Sequence, residues 1–224
     1  MTWEELLFAH WPVPAEALRR GLPPGLEMDT FAGQAWVGVV PFRMEQTRLR
    51  GLPPMPGTGS FPELNVRTYV TAGGKPGVWF FSLDAASRLA VRTARSFFHL
   101  PYFDAVMRTE ARAGWVHYAS RRTHRGAAPA EFAGRFQPSG PVFRAAAGSL
   151  EHWLTERYCL YAADARQRIY RGEIQHAPWP LQRAEAELSV LQMTAGLGFT
   201  LPDTAPHLLF AERLEVVAWR VKRV

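Results

Sequence analysis

The stretch Phe61-Pro62-Glu63-Leu64-Asn65-Val66-Arg67-Thr68-Tyr69-Val70-Thr71 alternates with the period of a β-strand. Leu64, Val66, Thr68 and Val70 fall on one face, and Glu63, Asn65, Arg67, Tyr69 and Thr71 on the other. An isolated strand of this kind would hold its polar face in water. Its neighbours in the chain do not suit that placement. Between Gln34 and Met44, Ala35, Val37 and Val39 alternate with Trp36, Gly38, Val40 and Phe42, so both faces are apolar, and residues 78–84 carry Trp79, Phe80 and Phe81. Strands apolar on both faces lie between layers or line a barrel. The polar row of 61–71 is therefore read as the inner face of a central strand.

The rest of the chain is organised around that strand. Residues 3–12 read as a first strand or a short helix, and Pro14 and Gly21 bracket a short helix between them. A strand follows over 26–31. Residues 48–60, with Pro53, Pro54 and Pro56, are expected to form a flexible connection, with a lid as the alternative. Ala72 to Gly77 is a hairpin turn whose glycine-lysine cluster lacks phosphate-loop spacing. Asp84 is expected to cap a helix over 85–98, with Ala86, Leu89, Ala90, Ala94, Phe97 and Phe98 as its apolar stripe. A hairpin turns at Ala113-Gly114 between 104–112 and 114–122. A strand near 130–136 ends at Pro138, and Ser149 caps a two-turn helix. A strand pair occupies 158–162 and 169–176, residues 177–181 form an extended corner, and 181–192 is a strand or short helix. A loop over 194–206 and a strand over 208–221 close the chain. With about ten strands and no recurring strand–helix alternation, the fold class is mainly β with a few short helices, an antiparallel barrel or sandwich.

A chain of 224 residues fits one domain, taken as 1–224. The lone Cys159 allows no disulfide within the chain and suits a reducing compartment. The acidic start Met1-Thr2-Trp3-Glu4-Glu5 and the lack of a long apolar run point to a cytoplasmic protein away from membranes. The formal charge of +6 suggests nucleic acid, but 24 of the 26 basic residues are scattered arginines and no nucleic-acid module is present. No nucleic-acid partner is expected.

Several chemistries find no support in the residues. The seven histidines show no ligand spacing and there is no cysteine doublet, so neither a metal nor another cofactor is expected. There is no Gly-x-Ser-x-Gly elbow and no dinucleotide-binding glycine motif. Three groups remain as ligand-binding candidates. The first, Glu63, Asn65, Arg67 and Tyr69, would put a carboxylate, an amide, a guanidinium and a phenol along one wall of a cavity. The others are Glu156, Arg157 and Tyr158, and Asp84 with Arg95. Structural ion pairs or a solvated face are the competing explanations for each. An arginine grips a carboxylate with two hydrogen bonds, and buried charges cost several kcal/mol each unless paired, roughly speaking.

Six runs resemble a known family. They are His10-Trp11-Pro12-Val13, Ala35-Trp36-Val37-Gly38-Val39-Val40-Pro41-Phe42, Glu63 to Val70, Phe80-Phe81-Ser82-Leu83-Asp84-Ala85, Leu154-Thr155-Glu156-Arg157-Tyr158 and His176-Ala177-Pro178-Trp179-Pro180-Leu181. Together they resemble the YqjF-like family of uncharacterised bacterial proteins, grouped by fold with acetoacetate decarboxylase. The resemblance implies a cone-shaped antiparallel β-barrel with a central cavity. Acetoacetate decarboxylases form a Schiff base on a lysine beside a second lysine. The similar stretch here, Phe98-His99-Leu100-Pro101-Tyr102-Phe103-Asp104-Ala105, has Tyr102 and Phe103 at those positions, and neither forms an imine. Glu63 corresponds to an active-site glutamate of those enzymes, and Tyr102 is placed at the floor or wall of the cavity. Lys75 is expected in an exposed turn and Lys222 near the end of the chain, so neither replaces the missing lysines.

The expected function is binding of a small anionic or polar organic molecule, gripped by Arg67, without Schiff-base decarboxylase activity. Two alternatives stand beside it. One is an enzyme using Glu63, Arg67 and Tyr102 in general acid–base chemistry; the other is an interaction module, with a homo-oligomer as its form.

Overall fold

The computed structural model describes residues 1–46 and 59–224. The expected connection over 48–60, with its lid alternative, lies from 48 to 58 outside the described residues. The described chain forms β1 (Thr2–Val13), α1 (Ala15–Arg19), β2 (Glu27–Met28), β3 (Ala35–Glu45), β4 (Ser60–Ala72), β5 (Lys75–Ala85), α2 (Arg88–Phe98), β6 (Tyr102–Arg112), β7 (Trp115–Arg122) and β8 (Glu131–Phe143). It continues with α3 (Leu150–Thr155), β9 (Cys159–Ala163), β10 (Ile169–His176), β11 (Leu181–Leu191), β12 (His207–Ala218) and β13 (Lys222–Arg223). The first stretch and residues 181–191, each open between strand and helix, are both strands.

All these strands belong to one hydrogen-bonded sheet, and the sheet forks twice. Strand β5 pairs along one edge with β4. Its other edge is divided, Val78 and Trp79 pairing with β9 and Leu83 to Ala85 with β6. Strand β12 is divided likewise. It pairs with β1 on one edge, and on the other with β11 through Leu209–Ala211 and with β10 through Val216–Ala218. The strip β12–β1–β3–β4–β5 is thus a common wall between two arms. One arm runs through β6, β7, β8 and β11, the other through β9 and β10.

Alternation along the wall sends neighbouring residues to opposite sides. Leu7, Ala9, Val37, Val39, Leu64 and Val66 meet Val116, Tyr118, Phe132, Phe136 and Phe210 in one core. Leu6, Phe8, Val40, Phe42, Leu83, Leu209 and Ala211 face the other arm and meet Ala162, Trp179 and Val216. Glu63, Asn65 and Arg67 of β4 share this second side.

Local chemistry explains most turns. The β4–β5 hairpin turns at Gly73-Gly74 and the β6–β7 hairpin at Ala113-Gly114, each with φ positive at both residues and a two-residue loop. Four expectations need correction. Both β5–β6 and β5–β9 pair in parallel; for β5–β6, α2 supplies the crossover connection that a parallel pair needs. Strand β8 continues through Pro138 to Phe143. Beyond Phe136 only β11 pairs with it, so prolines there remove no hydrogen bond from β7. Helix α2 is capped by Ser87, whose Oγ accepts from the Ala90 N–H at 3.3 Å. Asp84 is still within β5. The stripe of α2 also divides: Ala90, Ala94 and Phe98 pack on the core beside buried Val91, whereas Leu89 and Phe97 are exposed. No helix among the described residues is long and apolar enough to cross a membrane.

Candidate functional site

On the β9–β10 side of the wall the side chains do not fill the space. They leave a cavity of about 270 Å³. Its lining is mostly apolar, with Trp3, Phe42, Leu83, Phe98 and Trp179 prominent. Glu63, Asn65 and Arg67 of β4 and Tyr102 at the start of β6 are the main polar lining. A wider hollow of about 410 Å³ lies between Arg108, His117, Arg135 and Glu187. Arg135 and Glu187 pair there through two hydrogen bonds of 2.8 and 2.9 Å in exposed positions, and the Arg108 and Glu110 that line it are exposed too, so it holds no buried charge that wants a partner.

Glu63 is buried, and its Oε2 accepts from the Tyr102 hydroxyl at 2.9 Å. Burial raises its carboxyl to about 8. The Tyr102 hydrogen bond opposes that rise and the charge of Asp84 adds to it. The side chain is therefore a carboxylic acid at neutral pH. Burial and Glu63 together push the Tyr102 phenol well above its ordinary range, so it stays protonated. The pair holds two protons and uses one between them, which leaves a donor for the cavity.

Arg67, 9% exposed, is the contrasting group. Its Nη2 donates to the Leu154 carbonyl at 3.3 Å and the Tyr69 hydroxyl at 3.4 Å, both long contacts. The guanidinium lies 5.3 Å from the Phe8 ring. Its buried Nε has no partner, and among the described residues no carboxylate forms an ion pair with it. Two other arginines with nearly buried side chains differ. Arg122 makes a two-pronged pair with Asp84 at 2.7 and 3.0 Å, and Arg157 reaches Asp29 at 2.6 Å. Buried Asn65 likewise leaves its Oδ1 without a partner.

Behind Arg67 a buried cluster closes the wall. The Tyr69 hydroxyl donates to the Leu154 carbonyl at 2.8 Å and lies 2.6 Å from His10 Nε2. Burial, with Arg67 nearby, drives the His10 ring well below its usual range, so it is neutral. Gly38 faces His10 in β1 and Arg67 in β4. A Cβ there would lie 2.8 Å from His10 Nε2, so a side chain would displace the ring. His10 escaped the reading of the sequence. The available signal was Gly38, since glycine within an apolar strand marks a close approach.

Glu63, Asn65, Arg67 and Tyr102 converge on the cavity; the other candidates do not. Tyr69 shares their face of β4, but His10 and Trp153, whose ring is 4.6 Å away, seal it behind Arg67. Asp84 faces the packed side and is occupied by Arg122. Arg95 donates to the Tyr102 carbonyl at 2.7 Å and fixes the corner between α2 and β6. Glu156 accepts from the Trp179 N–H at 2.9 Å and the exposed Tyr158 hydroxyl at 2.5 Å, fastening the extended corner. Arg157 donates to the Trp153 carbonyl as well as to Asp29. Both lysines stay outside the cavity lining. Lys75 Nζ pairs with Glu173 at 2.5 Å and Lys222 is exposed on β13. Among the described residues no group of three or more His, Cys, Asp or Glu could hold a metal ion.

Known proteins agree with this architecture. The chain is 48% identical over 222 residues to uncharacterized protein YqjF of Bacillus subtilis (strain 168), covering 99% of this chain and 90% of that protein. Among solved structures, an acetoacetate decarboxylase superposes with a TM-score of 0.67 at 11% identity, covering 100% of this chain and 88% of that one. The enduracididine biosynthesis enzyme MppR, complexed with the condensation product of pyruvate and imidazole 4-carboxaldehyde, gives 0.66 at 13% identity, covering 99% and 87%. Acetoacetate decarboxylase from Legionella pneumophila gives 0.62 at 12%, covering 100% and 87%. At these identities the likeness is one of fold, an acetoacetate decarboxylase-like fold. Residues 1–215 match the family DUF2071, described as an uncharacterized conserved protein, and the chain belongs to that family.

Proposed function

We propose that the cavity binds a small organic carboxylate, held by Arg67. The observation that carries this reading is the buried guanidinium without a counter-ion among the described residues. An unpaired buried charge costs several kcal/mol, roughly, and here Arg122 and Arg157 meet that cost with aspartates. A carboxylate in the cavity would do the same for Arg67, in the two-pronged geometry that suits a guanidinium. Glu63 does not compete for the cation while it stays protonated. The volume lies just under the roughly 300–1,000 Å³ of drug-sized sites, which suits a small ligand. Pyruvate, named with one structural neighbour, is such a ligand for that protein. With both lysines outside the cavity, decarboxylation through a lysine imine has no nucleophile here.

A second reading rests on Glu63. A carboxyl raised to about 8 beside a phenol, both buried, is poised to exchange a proton near neutral pH. It makes the pair a general acid–base candidate acting on the same carboxylate.

A thermal-shift screen of small carboxylic acids tests the first reading. Acids that raise the melting temperature of the wild type are expected to leave folded Arg67→Ala unmoved. A broad screen with no shift, or equal shifts in the variant, would remove its support. Proton NMR of the same mixtures separates the two readings, because turnover would alter the acid's signals and binding alone would not.

A further inference from the structure

The charges and surfaces of the cavity narrow the class of acid, on the reading that Arg67 holds a carboxylate. Among the described residues the lining offers one buried side-chain charge without an ion pair, Arg67; the Met1 ammonium, which also lines it, donates to the Val216 carbonyl at 3.2 Å. Of its other ionisable groups, Glu63 is bonded to Tyr102, and Glu173 carries two cations, Lys75 at 2.5 Å and Arg171 at 2.9 Å. A second carboxylate on the ligand would have to leave water for a mostly apolar lining whose other cation, the Met1 ammonium, already donates to the Val216 carbonyl. A ligand ammonium would have to draw a proton off Glu63 or displace Lys75 and Arg171. The body of the ligand would instead lie against Trp3, Phe42, Leu83, Phe98 and Trp179.

The direction of the ligand follows from the topology. The polar residues stand on β4. In the arm β5–β9–β10–β12 that closes this side, β10 lies across from β4. There the lining reaches Gly172 and Glu173, and at the end of β12 and just past it includes the exposed Ala218 and Trp219. The cavity therefore runs from a buried cation toward a rim at the surface whose apolar part is Ala218, Trp219 and Val221 and whose one carboxylate, Glu173, is already paired. We infer that the occupant is an apolar monocarboxylate, an acyl acid bound with its carboxylate inward at Arg67 and its chain directed toward Trp219, and that dicarboxylates and amino acids are rejected.

Isothermal titration of the full-length protein at pH 7 tests this with butanoate, hexanoate, adipate, norleucine and pyruvate. Hexanoate is expected to bind more tightly than butanoate by about fourfold per added methylene, the worth of burying each CH₂. Adipate and norleucine are expected to bind at least tenfold more weakly than hexanoate. Adipate or norleucine matching hexanoate, or pyruvate binding while hexanoate does not, would overturn the class and leave the carboxylate at Arg67 standing. If none of the five acids binds, both fall.

Discussion

The two sides of the wall formed by β12, β1, β3, β4 and β5 are built from alternate residues of the same strands, yet they solve opposite problems. On one side Leu64 and Val66 join Phe132, Phe136 and Phe210 in a filled core, where density near that of an organic crystal leaves little room for change. On the other, Glu63, Asn65 and Arg67 face a hollow. Among the described residues, Asn65 Oδ1 and Arg67 Nε there have no protein partner. Charge follows the same division: Asp84, facing the filled side, is matched by Arg122, whereas Arg67, facing the hollow, forms no ion pair among the described residues. A period of two residues thus separates what stabilises the fold from what a ligand can use.

Paired arginine substitutions test that division with the largest expected effect. Arg122→Met leaves Asp84 buried and alone, and should cost about 3–5 kcal/mol in denaturant unfolding. Arg67→Met removes a cation that has no anion, so its cost should stay within about 1 kcal/mol or turn into a gain. Equal costs would mean that the two sides do not differ electrostatically.

Truncation at adjacent positions of β4 sharpens the packing half of the comparison. Leu64→Ala should cost about 2–5 kcal/mol by opening a void in the filled core, against less than about 1 kcal/mol for Asn65→Ala, whose side chain already borders empty space.

The smallest effect depends on pH. The Glu63 carboxyl is raised from 4.5 to about 8 in the folded protein, so the folded state holds a proton that the unfolded chain releases between those values. Its contribution to stability is full below pH 4.5 and declines as pH rises toward 8. Glu63→Gln removes the titration. The variant should exceed the wild type by up to roughly 4 kcal/mol at pH 8, with the gap closing near pH 4.5. A gap independent of pH would mean that Glu63 is ionised throughout.

Much of this was legible in the sequence because β4 alternates. The polar row at 63, 65 and 67 could only be an inner face once the neighbouring strands proved apolar on both sides. Tyr102 was reachable only through its place in a family-like stretch. Asp84 and Arg95 were misread because their partners, Arg122 and the Tyr102 carbonyl, come from strands whose pairing no local pattern announces. Tyr69 has the right periodicity but sits past a register shift between Val66 and Arg67, where α3 and His10 close over it. The forks at β5 and β12 were equally hidden. Each depends on which half of an edge a distant strand occupies, and strand propensity carries no such information.

A crystal structure of the protein soaked with a carboxylic acid that raises its melting temperature tests the central claim most directly. The account predicts a carboxylate oxygen about 2.7–2.9 Å from Arg67 Nη1, with the rest of the molecule against the apolar wall. An acid bound elsewhere while the cavity holds only water, or the Arg67 guanidinium standing in bulk solvent, would contradict it.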